Sequence, residues 1–446
     1  MSSTRRNFIR KASAASSLMM LGGIGHGFSA SSYSRIKGAN DRIIMGVMGV
    51  NGRGKKMAAN FALQKNTEVL YICDVEDKAL QKGVDAVKKA VGKAPKVEKD
   101  IRKMLEVKEI DGVYLAPPDH WHVPATIMSC VAGKHVYVEK PLSHNPAEGE
   151  MAIEAARKYK RVVQMGAQRR SWKKLSEGIK ELQGGVIGNV YMAKTWYTNN
   201  RKSIGIGKVA PVPSNLDFEL WQGPAPRRPY KDNLVHYNWH WNWHWGTGEA
   251  LNNGTHEIDV ARWGLGLDFP SKVNSVGGRY RFKDDWETPD TQIITFESNK
   301  GASVIWEGRS CNGSLVEGAD RGVIFYGDNG TMRTGNDGYA IYDLDDKLIT
   351  EVKPEIVVDG RDTTSPSSIL DMPHIENYLS CIRNGGTPNA DVEIGYKSTL
   401  WVQLGNIAQR IGRSINIDQG NGHVLSDPKA MELWGREYEP GWEIKM

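Results

Sequence analysis

Cysteine is scarce in this chain. The four in 446 residues, Cys73, Cys130, Cys311 and Cys381, lie far apart with no Cys-x-x-Cys pair, which excludes a disulfide framework and a zinc site of clustered thiolates. No uncharged apolar run reaches the roughly 20 residues that cross a bilayer, so no stable membrane insertion is expected. Acidic residues are missing from the first forty positions, which hold Arg5, Arg6, Arg10, Lys11, Arg35 and Lys37. Those six account for the whole formal charge of +6. The remainder is neutral, so no nucleic-acid partner is expected. What is present, 40% hydrophobic and 25% charged residues with 48 Gly and 19 Pro, is ordinary globular composition for two or three domains.

The opening segment Thr4-Arg5-Arg6-Asn7-Phe8-Ile9-Arg10-Lys11 precedes a weakly apolar stretch over 12–24 and a small-residue exit. It resembles a twin-arginine export signal, which implies an exported, periplasmic protein delivered already folded. The domains are expected at 1–40 (signal and linker), 41–165 and 166–446. From residue 42 short β-branched runs alternate with amphipathic stretches: strands at 43–48, 68–73, 112–116, 135–138 and 162–165, helices at 54–64, 76–91, 120–132 and 146–159. Such alternation means βαβ units and a doubly wound parallel sheet, hence an α/β fold. Beyond residue 166 strand-like stretches dominate (190–197, 273–282, 291–297, 302–307, 323–327, 339–343). They predict a second α+β domain built on a sheet, with a long Gly/Pro-rich connector at 203–230 of the kind that often carries function. Helical spacing returns at 373–384 and 395–411.

Gly49-Val50-Asn51-Gly52-Arg53-Gly54 follows a predicted strand and opens a helix, where backbone N–H groups and the helix dipole can hold a pyrophosphate. The second glycine position of G-x-G-x-x-G is Asn51, with Gly52 beside it. Twenty residues after Gly54, Asp74 ends the next strand, where a carboxylate accepts the adenosine ribose hydroxyls and repels a 2′-phosphate. NAD is therefore favoured over NADP; a tight turn with a helix N-cap is the plain alternative. Pro117 to His122 closes the following strand, and Glu139-Lys140-Pro141 the one after. Lys140 is placed either to reach a substrate hydroxyl with a pKa lowered by burial, or to form a surface salt bridge with Glu139.

The glycine turn, Asp74, the Pro-x-x-x-His segment ending at His122, and Ala132-Gly133-Lys134-His135-Val136 followed by Glu139-Lys140-Pro141 together resemble the Gfo/Idh/MocA oxidoreductase family. The resemblance implies a Rossmann-type N-terminal domain, NAD(P)-dependent oxidation or reduction of sugars and related polyols, and Lys140 at the reacting hydroxyl. It also implies a C-terminal open, largely antiparallel sheet through which members often form homo-oligomers. On this basis Gly49, Asn51, Gly52, Arg53, Gly54, Asp74, Pro117, His122, Glu139 and Gln168 are the expected cofactor-binding residues. Gly246 to Asp259 resembles the family's Gly-rich segment ending in G-x-H-x-x-D, which makes His256 the acid/base partner. Where members commonly carry aspartate four residues earlier, this chain has Asn252. Asn cannot exchange a proton at neutral pH, so a Lys140/His256 catalytic pair is expected. His256 could instead pack or cap the start of a helix.

Trp239-His240-Trp241-Asn242-Trp243-His244-Trp245 alternates with strand period, placing tryptophans on one face and His240, Asn242 and His244 on the other. Aromatic planes suit the C–H faces of a sugar ring, so Trp239, Trp241, His240, Asn252 and Arg169 are the expected substrate residues; core packing is the alternative for the tryptophans. The i, i+4 histidines lack a third ligand, and no metal is expected. Arg169 and Arg170 either meet a polyol or anionic substrate or form a solvated charge pair. His374 reads as a packed helix residue. The sequence thus points to an oxidoreductase moving hydride between a sugar or glycoside ring hydroxyl and a tightly held NAD. An NAD-dependent glycoside hydrolase working by transient oxidation and elimination, and a non-catalytic sugar-binding protein, are the competitors.

Overall fold

The computed structural model describes residues 41–335, 338–353 and 371–446; the segment expected to be an export signal, 1–40, lies outside them. Strand and helix alternate first through β1 (Ile43–Met48), α1 (Arg53–Ala62), β2 (Thr67–Cys73), α2 (Asp77–Val91), β3 (Lys96–Glu98) and α3 (Ile101–Leu105). The series continues with β4 (Gly112–Leu115), α4 (Asp119–Val131), β5 (His135–Val138), α5 (Pro146–Lys158) and β6 (Val163–Met165). These six strands form one all-parallel sheet in the order β3-β2-β1-β4-β5-β6. Alternate residues enter two separate cores: Val113, Leu115, Val136 and Val138 one, Tyr114 and Tyr137 the other. Burial on both faces is why these strands read as continuous apolar runs. The strand order reverses between β1 and β4, and in doubly wound sheets ligands bind in the crevice at that point.

The second half continues through α6 (Lys173–Gln183), β7 (Val190–Thr198), α7 (Phe218–Gln222) and α8 (Thr255–Leu265), which follows a π-turn at Ala250–Gly254. Then come β8 (Lys272–Gly278), β9 (Thr291–Ser298), β10 (Ala302–Arg309), β11 (Arg321–Gly327), β12 (Gly330–Thr334), β13 (Tyr339–Tyr342) and β14 (Leu348–Val352). The chain closes with α9 (Met372–Asn384), α10 (Val392–Ile411), β15 (Ile415–Asn416) and α11 (Pro428–Met431). The order β14-β13-β12-β11-β7-β10-β9-β8-β15 makes an open nine-stranded sheet, parallel only between β7 and β10. The expected fold class is the observed one.

Two features depart from the sequence reading. Residues 239–245 are not a strand: Asn238–Trp241 is a 3-10 turn entered through Tyr237 at φ 76°. Here the period-2 alternation reflects a compact aromatic cluster. Trp241 stacks on Trp286 with centroids 4.0 Å apart, while Trp245 meets Trp221 edge-on. In addition α9, although late in the chain, packs into the N-terminal layer, where Ile375, Tyr378 and Leu379 share a core with Met45, Val47, Phe61 and Tyr137.

Candidate active site

A cavity of about 500 Å³ lies at the carboxyl ends of β1, β2, β4 and β5 and is roofed by residues of the second half. Its floor is the glycine turn. Gly49 has φ +81°, and a Cβ there would sit 2.5 Å from the Ala116 backbone; a Cβ on Gly54 would sit 1.7 Å from the Gly49 carbonyl oxygen. Only glycine lets β1, the turn and α1 approach this closely. A Cβ on Gly52 would meet nothing within 4 Å, and no side chain caps α1. The first N–H groups of α1 are therefore open to a phosphate at the cavity wall. Asn51 is not among the residues with positive φ, and its Oδ1 accepts from Lys82 Nζ of α2 at 2.6 Å. Its fit does not depend on left-handed backbone. Asp74 sits at the end of β2, its carboxylate accepting from the Val50 and Glu76 N–H groups at 2.7 and 3.0 Å. Burial, only partly offset by those bonds, raises its pKa. This cradle fits the pyrophosphate and ribose of a dinucleotide.

Several residues expected to touch cofactor are engaged elsewhere. The Arg53 guanidinium reaches Glu139 at 3.1 Å and Asp371 at 3.1 and 2.7 Å, so its charge is committed to carboxylates. Glu139 is buried and also accepts from the Tyr114 hydroxyl at 2.9 Å. Burial would raise this carboxyl, but Arg53 and Lys140 hold it below the usual carboxylate range. His122 places its ring nitrogens 2.6 Å from the Pro141 carbonyl and 3.0 Å from that of Pro117. It ties the turns after β4 and β5 together instead of offering a free nitrogen. Pro117 and Gln168 do line the cavity, Gln168 with its amide 3.5 Å from Glu139.

Lys140 makes no ion pair with Glu139. Its Nζ donates to the main-chain oxygen of Asn252 at 2.5 Å and to Asn252 Oδ1 at 2.9 Å. The π-turn is what brings both oxygens of one residue to the lysine; such bulges often mark functional positions. The Asn252 amide nitrogen is directed the other way, to Glu249 at 3.3 Å and the Tyr237 hydroxyl at 3.5 Å. Glu249 is fixed in turn by Arg201 and Asn253. Asn252 thus serves the lysine, where the sequence reading had it serving the substrate. Burial first, and then Arg321, lowers the Lys140 pKa against the opposing charges of Glu139, Asp119 and Glu249. The His256 ring lines the same cavity, and among the described residues none hydrogen-bonds it. Burial, followed by the nearby charge of Lys140, pushes its pKa well down, so it is neutral.

Trp239 and His240 line the cavity as a stacked pair, centroids 3.6 Å apart. His240 Nδ1 lies 2.6 Å from the Tyr237 carbonyl, and burial makes this ring neutral as well. Its Nδ1–H then donates, and Nε2 remains an acceptor. Trp241 is buried against Trp286 and is not a substrate platform. Arg169 and Arg170 are neither solvated nor free: each is buried and paired with a carboxylate of α8, Glu257 and Asp259, at 2.9 and 2.8 Å. Sequence reasoning missed Glu249, which orients Asn252, and the cavity residues Arg201, Tyr237, Leu216, Leu220 and Trp221. Apart from the length of the connector, nothing in a single sequence marks them; Arg201, for one, meets Glu249 across 48 positions.

The model for the NAD-binding Rossmann fold of the Gfo/Idh/MocA oxidoreductase family matches residues 43–167, and that for the family's C-terminal alpha/beta domain matches residues 193–444. The chain belongs to this family. Residues 43–167 are the family's NAD-binding Rossmann domain and residues 193–444 its C-terminal alpha/beta domain. Among curated relatives, a glycosyl hydrolase family 109 protein of Saccharopolyspora erythraea is 29% identical over 152 residues, 31% of this chain and 33% of the relative. The chain thus matches only about a third of that relative's length. Among solved structures, a levoglucosan dehydrogenase in complex with NADH and levoglucosan superposes with TM-score 0.65 at 16% identity, covering 85% of this chain and all of that one. An aldose-aldose oxidoreductase of Caulobacter crescentus gives 0.62 at 19% identity, covering 84% and all. At these identities the two structures establish the fold.

Proposed function

We propose that the protein oxidises or reduces a ring hydroxyl of a sugar or glycoside, using NAD held on the glycine turn. The observation that carries this reading is the pair of bonds from Lys140 to Asn252. A neutral amine has two N–H groups and one lone pair. With both N–H groups donated to the two Asn252 oxygens, the lone pair is directed away from Asn252. Burial, which lowers the Lys140 pKa, favours this neutral form. Lys140 takes the proton from the reacting hydroxyl and, in the reverse direction, returns it. His256, neutral and without a hydrogen-bond partner among the described residues, accepts a hydrogen bond from a hydroxyl beside it and passes the proton onward. His240 Nε2 accepts a further hydroxyl, and Trp239 packs on the C–H face of the ring. Bound NAD supplies the hydride acceptor.

The levoglucosan complex on this fold supports a sugar substrate. The leader supports export, and we propose a periplasmic protein that keeps its cofactor and reoxidises it on a second sugar. The test is native mass spectrometry of the exported protein, followed by single-turnover reduction of the retained cofactor with a panel of aldoses and glycosides. A bound NAD mass and turnover abolished in Lys140→Ala are the expected results; unchanged turnover in that variant sinks the reading.

The match to a glycosyl hydrolase family 109 protein favours one second reading, a redox-neutral glycosidase. Release of p-nitrophenol from an aryl glycoside with no second sugar present distinguishes it.

A further inference from the structure

The connector between β7 and α8 does more than roof the substrate end. It crosses the turn after β2 that carries Asp74. Asp217 N–H donates to the Val75 carbonyl at 2.9 Å, and Asp77 N–H to the Asn215 carbonyl at 3.0 Å. The Asn215 amide donates to Glu76 Oε1 at 2.9 Å, and His236 Nε2 lies 2.8 Å from Glu76 Oε2. Val75 itself packs on the connector's own apolar cluster, which contains Leu216 and Trp221. Asp74, Val75, Glu76, Leu216 and His236 all line the cavity of the glycine turn. In a Rossmann domain the end of β2 receives the adenosine ribose. Two main-chain bonds and two side-chain bonds therefore hold the connector across the end of β2, where adenosine binds in a Rossmann domain.

We propose that Asn215 and His236, acting through Glu76, are positioning residues that clasp the adenosine end of the bound dinucleotide, so that cofactor leaves only when the connector lifts. This rests on the reading of the cavity as a dinucleotide site. Neither residue touches the reacting atoms, so removing them changes how long cofactor stays while the hydride step is preserved. A retained cofactor is also what an oxidoreductase working outside the cytoplasm requires.

The test is stopped-flow release of NADH from the full-length protein, chased with excess NAD and read by energy transfer from tryptophan, beside a thermal melt. Release about tenfold faster in Asn215→Ala/His236→Ala, with an unchanged melting temperature, is expected from the loss of two bonds to a carboxylate. His236→Gln keeps an N–H for Glu76 and releases at the wild-type rate. Should the double variant fold poorly, His236→Ala alone, at a part-exposed ring, is expected to release about threefold faster. NADH that binds but leaves both alanine variants at the wild-type rate overturns the clasp alone. Wild-type protein that takes up neither NADH nor NAD overturns the dinucleotide reading and the clasp with it.

Discussion

Lys140 Nζ is bonded to both oxygens of a single residue, the main-chain oxygen of Asn252 at 2.5 Å and its side-chain Oδ1 at 2.9 Å. A neutral amide thus stands where a carboxylate would complete a proton relay, and it orients the lysine without adding charge.

The first prediction concerns that charge. Asn252→Asp puts an anion beside the ammonium, which favours the charged form and raises the lysine pKa. The acid limb of the kcat/KM profile moves to higher pH, and kcat at neutral pH falls. A profile identical to that of the wild type would show that Lys140 is not the titrating base.

Lys140→Met removes the base and retains most of the stem. A fall in kcat of about 10²–10⁴-fold is expected for loss of general base catalysis, with NADH affinity within about threefold of wild type. Fluorescence titration alongside steady-state rates measures both.

Cofactor choice rests on Asp74. Asp74→Ser removes the carboxylate that opposes a 2′-phosphate, so the ratio of NADPH to NADH dissociation constants is expected to fall by at least about tenfold. Direct binding titrations of both nucleotides give the ratio.

His374 links stability to pH. Its Nε2–H donates to the Met165 carbonyl at 2.9 Å, its Nδ1 accepts from the Ser171 hydroxyl at 2.6 Å, and burial pushes its pKa down to about 4. Between pH 6.5 and that value the unfolded chain binds a proton that the folded chain refuses. This contribution is therefore complete above pH 6.5 and is lost as pH falls, by up to about 1.4 kcal/mol per pH unit. Urea melts of wild type and His374→Gln from pH 4.5 to 7.5 should differ in slope by one proton.

Asp371→Asn removes the buried carboxylate that holds the Arg53 guanidinium at 3.1 and 2.7 Å, and is expected to cost about 3 kcal/mol, as when one partner of a buried pair is lost. Denaturant midpoints at pH 7 measure it. Export is tested separately: Arg5→Lys/Arg6→Lys should leave precursor in the cytoplasm on cell fractionation.

The parallel sheet was legible because buried strands and amphipathic helices carry different periods, and residues 43–48, 112–116 and 135–138 emerged within a residue of their observed bounds. The lining of the cavity was legible where motifs are local: the glycine turn, Asp74, Lys140 and His256 all border it. It was misread where a period has two causes. Tryptophans at every second position satisfy a strand pattern, yet the 3-10 turn at Asn238–Trp241 spreads them over separate contacts. It was invisible where partners are distant in the chain. Arg53 reads as a basic residue at a phosphate turn, and nothing near it announces Asp371, 318 positions away.

The contribution of α9 to the N-terminal core bears on how the protein is made. Ile375, Tyr378 and Leu379 fill space beside β1, and Asp371 fastens Arg53 at the glycine turn. During synthesis residues 43–167 emerge first, but they lack a layer of their core and one anchor of the nucleotide loop until more than 370 residues have been made. The nucleotide loop is therefore fully anchored only once α9 has docked beside β1, so its geometry depends on the last quarter of the chain.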